Sequence, residues 1–166
     1  MIKIALGTLP EGRTLLEPST ALATFFGTGL LPIAPGTWAS AAALPFGWII
    51  ASYGGWPTLL VAAIVAALVG WWASARYVAQ TGREDPSEIV IDEVAAQWLA
   101  LCVVPLSLTA YFAAFFVFRV FDTLKPWPAS WADREVEGGA GVMLDDIFAG
   151  AYAALTLVLL RYLQVL

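Results

Sequence analysis

Charged residues in this chain come in blocks, and the gaps between the blocks constrain its fold more than any motif does. From Pro18 to Ala75, about 58 residues, there is no Asp, Glu, Lys or Arg, and Val94 to Phe118 forms a second uncharged run of about 25, where one helical bilayer crossing takes about 20 apolar residues. Hydrophobic residues make up 60% of the chain and charged residues 13%, against roughly 45–50% and about 25% in soluble domains. So few polar side chains cannot cover a water-facing surface. The same hydrophobicity excludes disorder. The chain reads as a membrane protein, one domain over residues 1–166, with residues 1–20 an extension of unknown role.

The long run holds two crossings, Trp38 to Tyr53 and Thr58 to Val78, separated by the turn cluster Tyr53-Gly54-Gly55-Trp56-Pro57 with aromatics suited to the interface. Pro105 interrupts the second run, which predicts two helices, roughly Ser87–Val104 and Leu106–Phe121, around a short apolar turn. Asp146 to about Tyr162 predicts the last helix. The expected fold class is all-α, a polytopic membrane bundle of about five helices. Its Gly/Pro-rich loops fall at one end. No apolar leader precedes it, because Gly7, Pro10, Glu11 and Arg13 break the first 20 residues. Nearly all Lys and Arg lie in the N-terminal stretch, in Arg76–Glu93 and in Arg119–Asp146. Two hairpins bring those segments to one side, and the excess of positive charge makes that side cytoplasmic. The C-terminus is then outside, with Arg161 snorkelling toward head groups.

Several chemistries are excluded by counting. There is no histidine, which removes Ser-His-Asp triads, phosphohistidine intermediates and His-ligated metals. One cysteine allows neither a disulfide framework nor a Cys-based zinc cluster. A Cys-x5-Arg phosphatase would need arginine where Leu108 follows Cys102. A net charge of −5 argues against nucleic acid as partner.

What remains is carboxylate chemistry. Asp92-Glu93, Asp122 and Asp145-Asp146 all fall at expected helix ends on the cytoplasmic side. In lipid each would cost roughly 2.5–3.5 kcal/mol on insertion scales, so they must face water, each other or a metal. Dipole complementation explains acids at helix starts but not Asp122 at a helix end. An oxygen-only set suits Mg2+ or another hard cation. Arg119 and Lys125 bracket Asp122, and their two readings are a membrane anchor and a phosphate clamp, fork plus point charge. Two glycine-bearing segments add backbone donors. Gly27-Thr28-Gly29 through Gly36-Thr37 is too broken to span, and Thr37 could cap the first crossing toward an anion. Gly138-Gly139-Ala140-Gly141 reads as a loop ahead of Asp145. Arg134, Glu135 and Glu137 read as a solvated loop.

Three blocks resemble the phosphatidylglycerophosphatase A family of bacterial Mg2+-dependent membrane phosphatases. They are Phe26 to Thr37, Asp85 to Glu93 (Asp-Pro-Ser-Glu-Ile-Val-Ile-Asp-Glu), and Phe118 through Lys125-Pro126-Trp127-Pro128 to Ile147. The resemblance implies removal of the terminal phosphate of phosphatidylglycerophosphate, a phospholipid substrate held in the bilayer, at the cytoplasmic face of the inner membrane. It implies Mg2+ held among Asp92, Glu93, Asp122, Asp145 and Asp146. Phosphate contacts would come from Arg119, Lys125, Thr28, Gly29, Gly36 and Thr37. After Glu93 the chain has Val94-Ala95-Ala96-Gln97 where the family leads one to expect a glycine, a departure that touches helix packing. The alternatives are a phosphatase for another phosphorylated lipid or soluble phosphomonoester, and a non-enzymatic carrier or channel, for which acids are expected at mid-span.

Overall fold

A computed structural model of the chain describes residues 7–83 and 86–166. Lys3, Glu84 and Asp85, the last a member of one motif block, lie outside them. The described residues form helices and turns with no strand: α1 (Pro18–Ala23), a 3-10 turn (Thr28–Leu30), α2 (Pro35–Thr81), α3 (Ile91–Leu101), α4 (Leu108–Leu124), α5 (Ala129–Glu135) and α6 (Gly138–Tyr162).

The 47 residues of α2 are two limbs. Ala39 and Ala73 share one buried cluster, yet a straight helix rising 1.5 Å per residue would hold them about 51 Å apart. The reversal lies at Gly55, whose φ of 68° and ψ of −165° are non-helical and open to glycine alone without strain. Both limbs run along α3. Going out, Gly36 meets Glu93 at the start of α3 and Gly47 meets Trp98 and Leu101 at its end; coming back, Gly70 meets Ile91 at the start again. The turn expected at Gly54–Pro57 is therefore where the chain reverses.

Contacts between limbs are made by small residues. Ala39, Ala43, Ala73, Ala95, Ala96, Ala100, Ala114, Ala149 and Ala153 are buried, and a Cβ at Gly150 would strike the backbone of Ala96. Such close approach is how helices associate where lipid offers no hydrophobic gain. The exterior is the apolar part: Ile49, Val61, Ile64, Val65, Leu68, Phe112, Phe116, Leu155, Val158 and Leu159 are exposed, while Ser40, Ser74, Gln97, Asp92, Asp145 and Asp146 are buried. That inverted distribution is a membrane protein's. Two helices, α2 and α6, are long and apolar enough to cross a bilayer, and α2 consists of two limbs.

The structure corrects several sequence expectations. Helix three begins at Ile91, not Ser87, because Pro86 to Val90 forms a turn (Ile89 N–H to Pro86 O, 2.9 Å) and Val90 donates to Ala23 O at 2.9 Å. With 11 residues α3 is about 16 Å long, too short for a core about 30 Å thick. Five helical limbs pack together, but α3 is not a full crossing. A further helical segment, α5, stands where a loop was expected. Helix α4 starts at Leu108, two residues past the expected Leu106, with the Ser107 hydroxyl accepting from Ala110 N at 3.2 Å, a cap that contributes about 1 kcal/mol. The last helix begins at Gly138, so Gly138 to Gly141 is helix, not loop. Gly139 lets it approach the Ala75 backbone, and Gly141 lets it approach Val136 O. Asp145 and Asp146 therefore lie about two turns inside α6.

Candidate active site

A cavity of about 410 Å³ opens at the end of the bundle where α2 begins, α3 begins and α4 finishes. Its walls include Gly36 from α2, Asp92 and Glu93 from α3, Arg119 and Asp122 from α4, Asp133 and Arg134 from α5, and Asp145 and Asp146 from α6. Five segments distant in sequence converge because both α2 limbs return to this end and α6 crosses α3.

The floor is acidic. Asp92, Glu93 and Asp146 each offer a carboxylate oxygen within 4.8 Å of the others. Among the described residues, Asp92 Oδ1, Glu93 Oε2 and Asp146 Oδ2 are buried with no hydrogen-bond partner. Two carboxylate charges at that spacing repel by about 3–4 kcal/mol at an effective dielectric of about 20. Three such pairs sum to about 10 kcal/mol, comparable to the whole stability of a typical domain. The set cannot stand as three bare charges: it needs a cation or bound protons. Gly36 is part of this floor, since any Cβ there would overlap Glu93 Oε1. The first turn of α2, entered through Pro35 with Ala34 in the left-handed region (φ 49°), brings helix N-terminal amides to the same wall.

The other acids are paired. Asp122 accepts from Arg119 at 2.7 Å, and Arg119 also reaches Ser40 Oγ at 3.4 Å. Lys125, held in the left-handed conformation (φ 42°) as the cap of α4, donates to Asp145 Oδ2 at 2.6 Å and to Asp133. Burial works against its charge, yet hydrogen bonds to Asp133 and Asp145 hold the ammonium above its ordinary pKa. It stays charged across the neutral range. Asp145 thus belongs with Lys125 at the rim, while its neighbour Asp146 belongs to the floor.

Of the eleven residues singled out by sequence, eight line this cavity. Thr28, Gly29 and Thr37 stand apart. The amides of Thr28 and Gly29 already donate to Phe25 O (3.2 Å) and Thr24 O (2.9 Å), and Gly29 is bare because the Glu88 carbonyl presses against it. Thr37 lies inside α2 and caps nothing: Ala34 occupies the cap position. Sequence reasoning gave Arg134 to a solvated loop and did not single out Asp133. It also passed over Glu88, whose carboxylate accepts from the Tyr77 hydroxyl at 3.0 Å and from Arg83 at 2.5 Å and so pins the turn that leads into Asp92. The only clue to α5 was the pair of stiff prolines, Pro126 and Pro128, before it.

Fold and site together define a class: an all-helical membrane protein with an oxygen-only acidic cavity bordered by fixed cations, suited to a hard cation and an anionic ligand. The pattern of the family Phosphatidylglycerophosphatase A matches residues 21–161. A protein of Escherichia coli K12 named phosphatidylglycerophosphatase A is 38% identical over 139 residues, 83% of this chain and 80% of the relative. One of the same name from Haemophilus influenzae is 37% identical over 150 residues, 90% and 92% of the two chains. A Bacteroides thetaiotaomicron protein, provisionally described as a phosphatidylinositol-3-phosphatase, is also 37% identical over 150 residues, 85% of this chain and 92% of its own. No solved structure matches the chain. The chain belongs to the phosphatidylglycerophosphatase A family.

Proposed function

We propose that the acidic cavity is where this chain carries out its family's reaction, hydrolysis of the terminal phosphomonoester of phosphatidylglycerophosphate to phosphatidylglycerol in phospholipid biosynthesis. Water adds to the terminal phosphorus, the bond from phosphorus to the glycerol oxygen breaks, and the leaving oxygen takes a proton; the products are phosphatidylglycerol and inorganic phosphate. The observation that carries the assignment is the trio of unpartnered carboxylates of Asp92, Glu93 and Asp146 facing a cavity whose rim holds Arg119 and Lys125.

The donor set fits Mg2+: three converging carboxylates, no nitrogen or sulfur, and oxygens that lack any protein partner. Asp92, Glu93 and Asp146 would hold it, with Asp122 and Asp145 beside them. Bound there, it would activate water and polarise a phosphoryl oxygen. The chain's own part is positioning and charge. Arg119, fixed by Asp122 and Ser40, and Lys125, fixed by Asp133 and Asp145, present two immobile cations to phosphoryl oxygens as charge redistributes. The first amides of α2 add a third positive pole. A carboxylate left free of the metal takes the proton of the attacking water.

The topology follows from charge. Arg13, Arg76, Arg83, Arg119, Lys125 and Arg134 all belong to segments at the cavity end, while Arg161 lies at the other end, against Val103 O. That excess supports a cavity at the cytoplasmic face of a bacterial inner membrane, in a single multi-pass domain where a lipid phosphate would reach it without leaving the bilayer. A phosphoinositide monoester is the second substrate reading, favoured by the Bacteroides relative. Phosphate release by purified, detergent-solubilised protein, with each lipid and with Mg2+ or chelator, is the test. Release from phosphatidylglycerophosphate that survives complete chelation would sink the metal role, and preferential release from the phosphoinositide would replace the substrate.

A further inference from the structure

Three cations line the cavity, and they are not equivalent. Arg119 is committed to Asp122 at 2.7 Å, and Lys125 is committed to Asp145 at 2.6 Å and to Asp133. Arg134 has no carboxylate partner among the described residues. Its Nε donates to Ser130 O, one turn back, at 2.9 Å, which fixes the guanidinium plane and leaves its terminal nitrogens without a protein acceptor among the described residues. It is exposed where Arg119 is largely covered. Arg134 therefore stands at the mouth and Arg119 toward the floor.

The mouth is also the lipid side. Helix α5 carries Trp131, 47% exposed, and follows Trp127, 75% exposed, and exposed tryptophans beside a short helix mark the head-group level of a bilayer. A lipid entering from that side is held by its acyl chains. Its first phosphate, the diester next to the diacylglycerol, must stop near the mouth, and only the terminal monoester reaches the floor. We propose that Arg134 binds the phosphodiester of the substrate, making this chain selective for lipids that carry two phosphate groups over lipids that carry one. The inference rests on the lipid phosphatase reading above and adds a residue to it. A fork fixed by one backbone contact, with its remaining donors free, suits a charged diester oxygen pair. As the exposed cation of the three, it is assigned to affinity rather than to the chemical step.

The test compares kcat/KM for phosphatidylglycerophosphate and for phosphatidic acid, a one-phosphate lipid monoester, in the same mixed micelles. In Arg134→Ala the ratio of the two should fall about tenfold or more, the loss of one charge-assisted contact, and the loss should appear in KM. Arg134→Lys should recover only part of the ratio, because it restores the charge without the fork. An unchanged ratio, or a loss confined to kcat, would overturn the assignment. Wild-type protein that turns over neither lipid would overturn the phosphatase reading as well, which distinguishes the two failures.

Discussion

The acids of the floor and the acids of the rim differ in one respect, and it separates their roles. Asp122, Asp133 and Asp145 each meet a cation, so their charges are balanced by the chain itself. Among the described residues Asp92, Glu93 and Asp146 meet no cation, and their inward oxygens have no partner; Asp145 bridges the two sets, with Oδ2 on Lys125 and a buried Oδ1 that is also unpartnered. A fold that needed those three only for stability would be better served by apolar side chains, because uncompensated buried charge is among the costliest features a protein can carry. Retaining them marks a site completed by something from outside. The rim teaches the converse: its acids hold cations still.

Breaking the floor should give the largest effects. Asp92→Asn or Asp146→Asn is expected to lower phosphate release by three orders of magnitude or more, roughly what loss of a principal electrostatic element costs. In chelator the same variants should melt about 5 °C or more above wild type, because repulsion is relieved. Asp122→Asn should melt lower, since it strands Arg119. If both kinds of variant shift Tm in the same direction, the floor and the rim are not different. Gly36→Ala tests the floor without touching a charge. Its methyl group must displace Glu93, and turnover should fall at least about a hundredfold, as misplacement near 1 Å does, with protein yield from membranes unchanged.

Rim changes should be smaller. Arg119→Lys keeps the charge and loses the fork, and its turnover should settle about 10- to 100-fold below wild type. A plain membrane anchor would instead tolerate the exchange, with Arg119→Ala lowering only yield. Smallest is Asp133→Asn, which leaves Lys125 tied to Asp145 alone and should cost about threefold in turnover, near the worth of one partly exposed ion pair. A drop as deep as that of Asp146→Asn would move Asp133 from rim to floor.

Much of this was legible in the sequence because it rests on one-dimensional signals. Blocks of charge separated by uncharged runs gave the limbs, and Gly54-Gly55 before Pro57 gave the reversal. The acids were gathered to one end by hairpin counting alone. What could not be read depends on neighbours. Gly138 to Gly141 looks like a loop because each interior glycine costs about 1 kcal/mol in a helix, but close approach to Ala75 and Val136 requires the missing side chains. Pro35, not Thr37, opens α2, since a proline fits the first helical position without needing its N–H. Glu88 resembles any surface acid until Tyr77 and Arg83 are found beside it. Nor does sequence say that two adjacent aspartates part company.

That parting has a mechanical meaning. Consecutive residues of a helix point about 100° apart, so Asp145 and Asp146 are two arms of one rigid bracket, one reaching the ammonium of Lys125 and the other the acidic floor. The gap between the Lys125 ammonium and the carboxylate trio is thereby gauged by a single peptide step in the middle of α6, not by the lengths of the loops around it. Loops could lengthen, shorten or breathe with the bilayer and leave the gauge unaltered. A one-residue insertion or deletion between the Gly139 contact and Asp145 would turn both arms away at once.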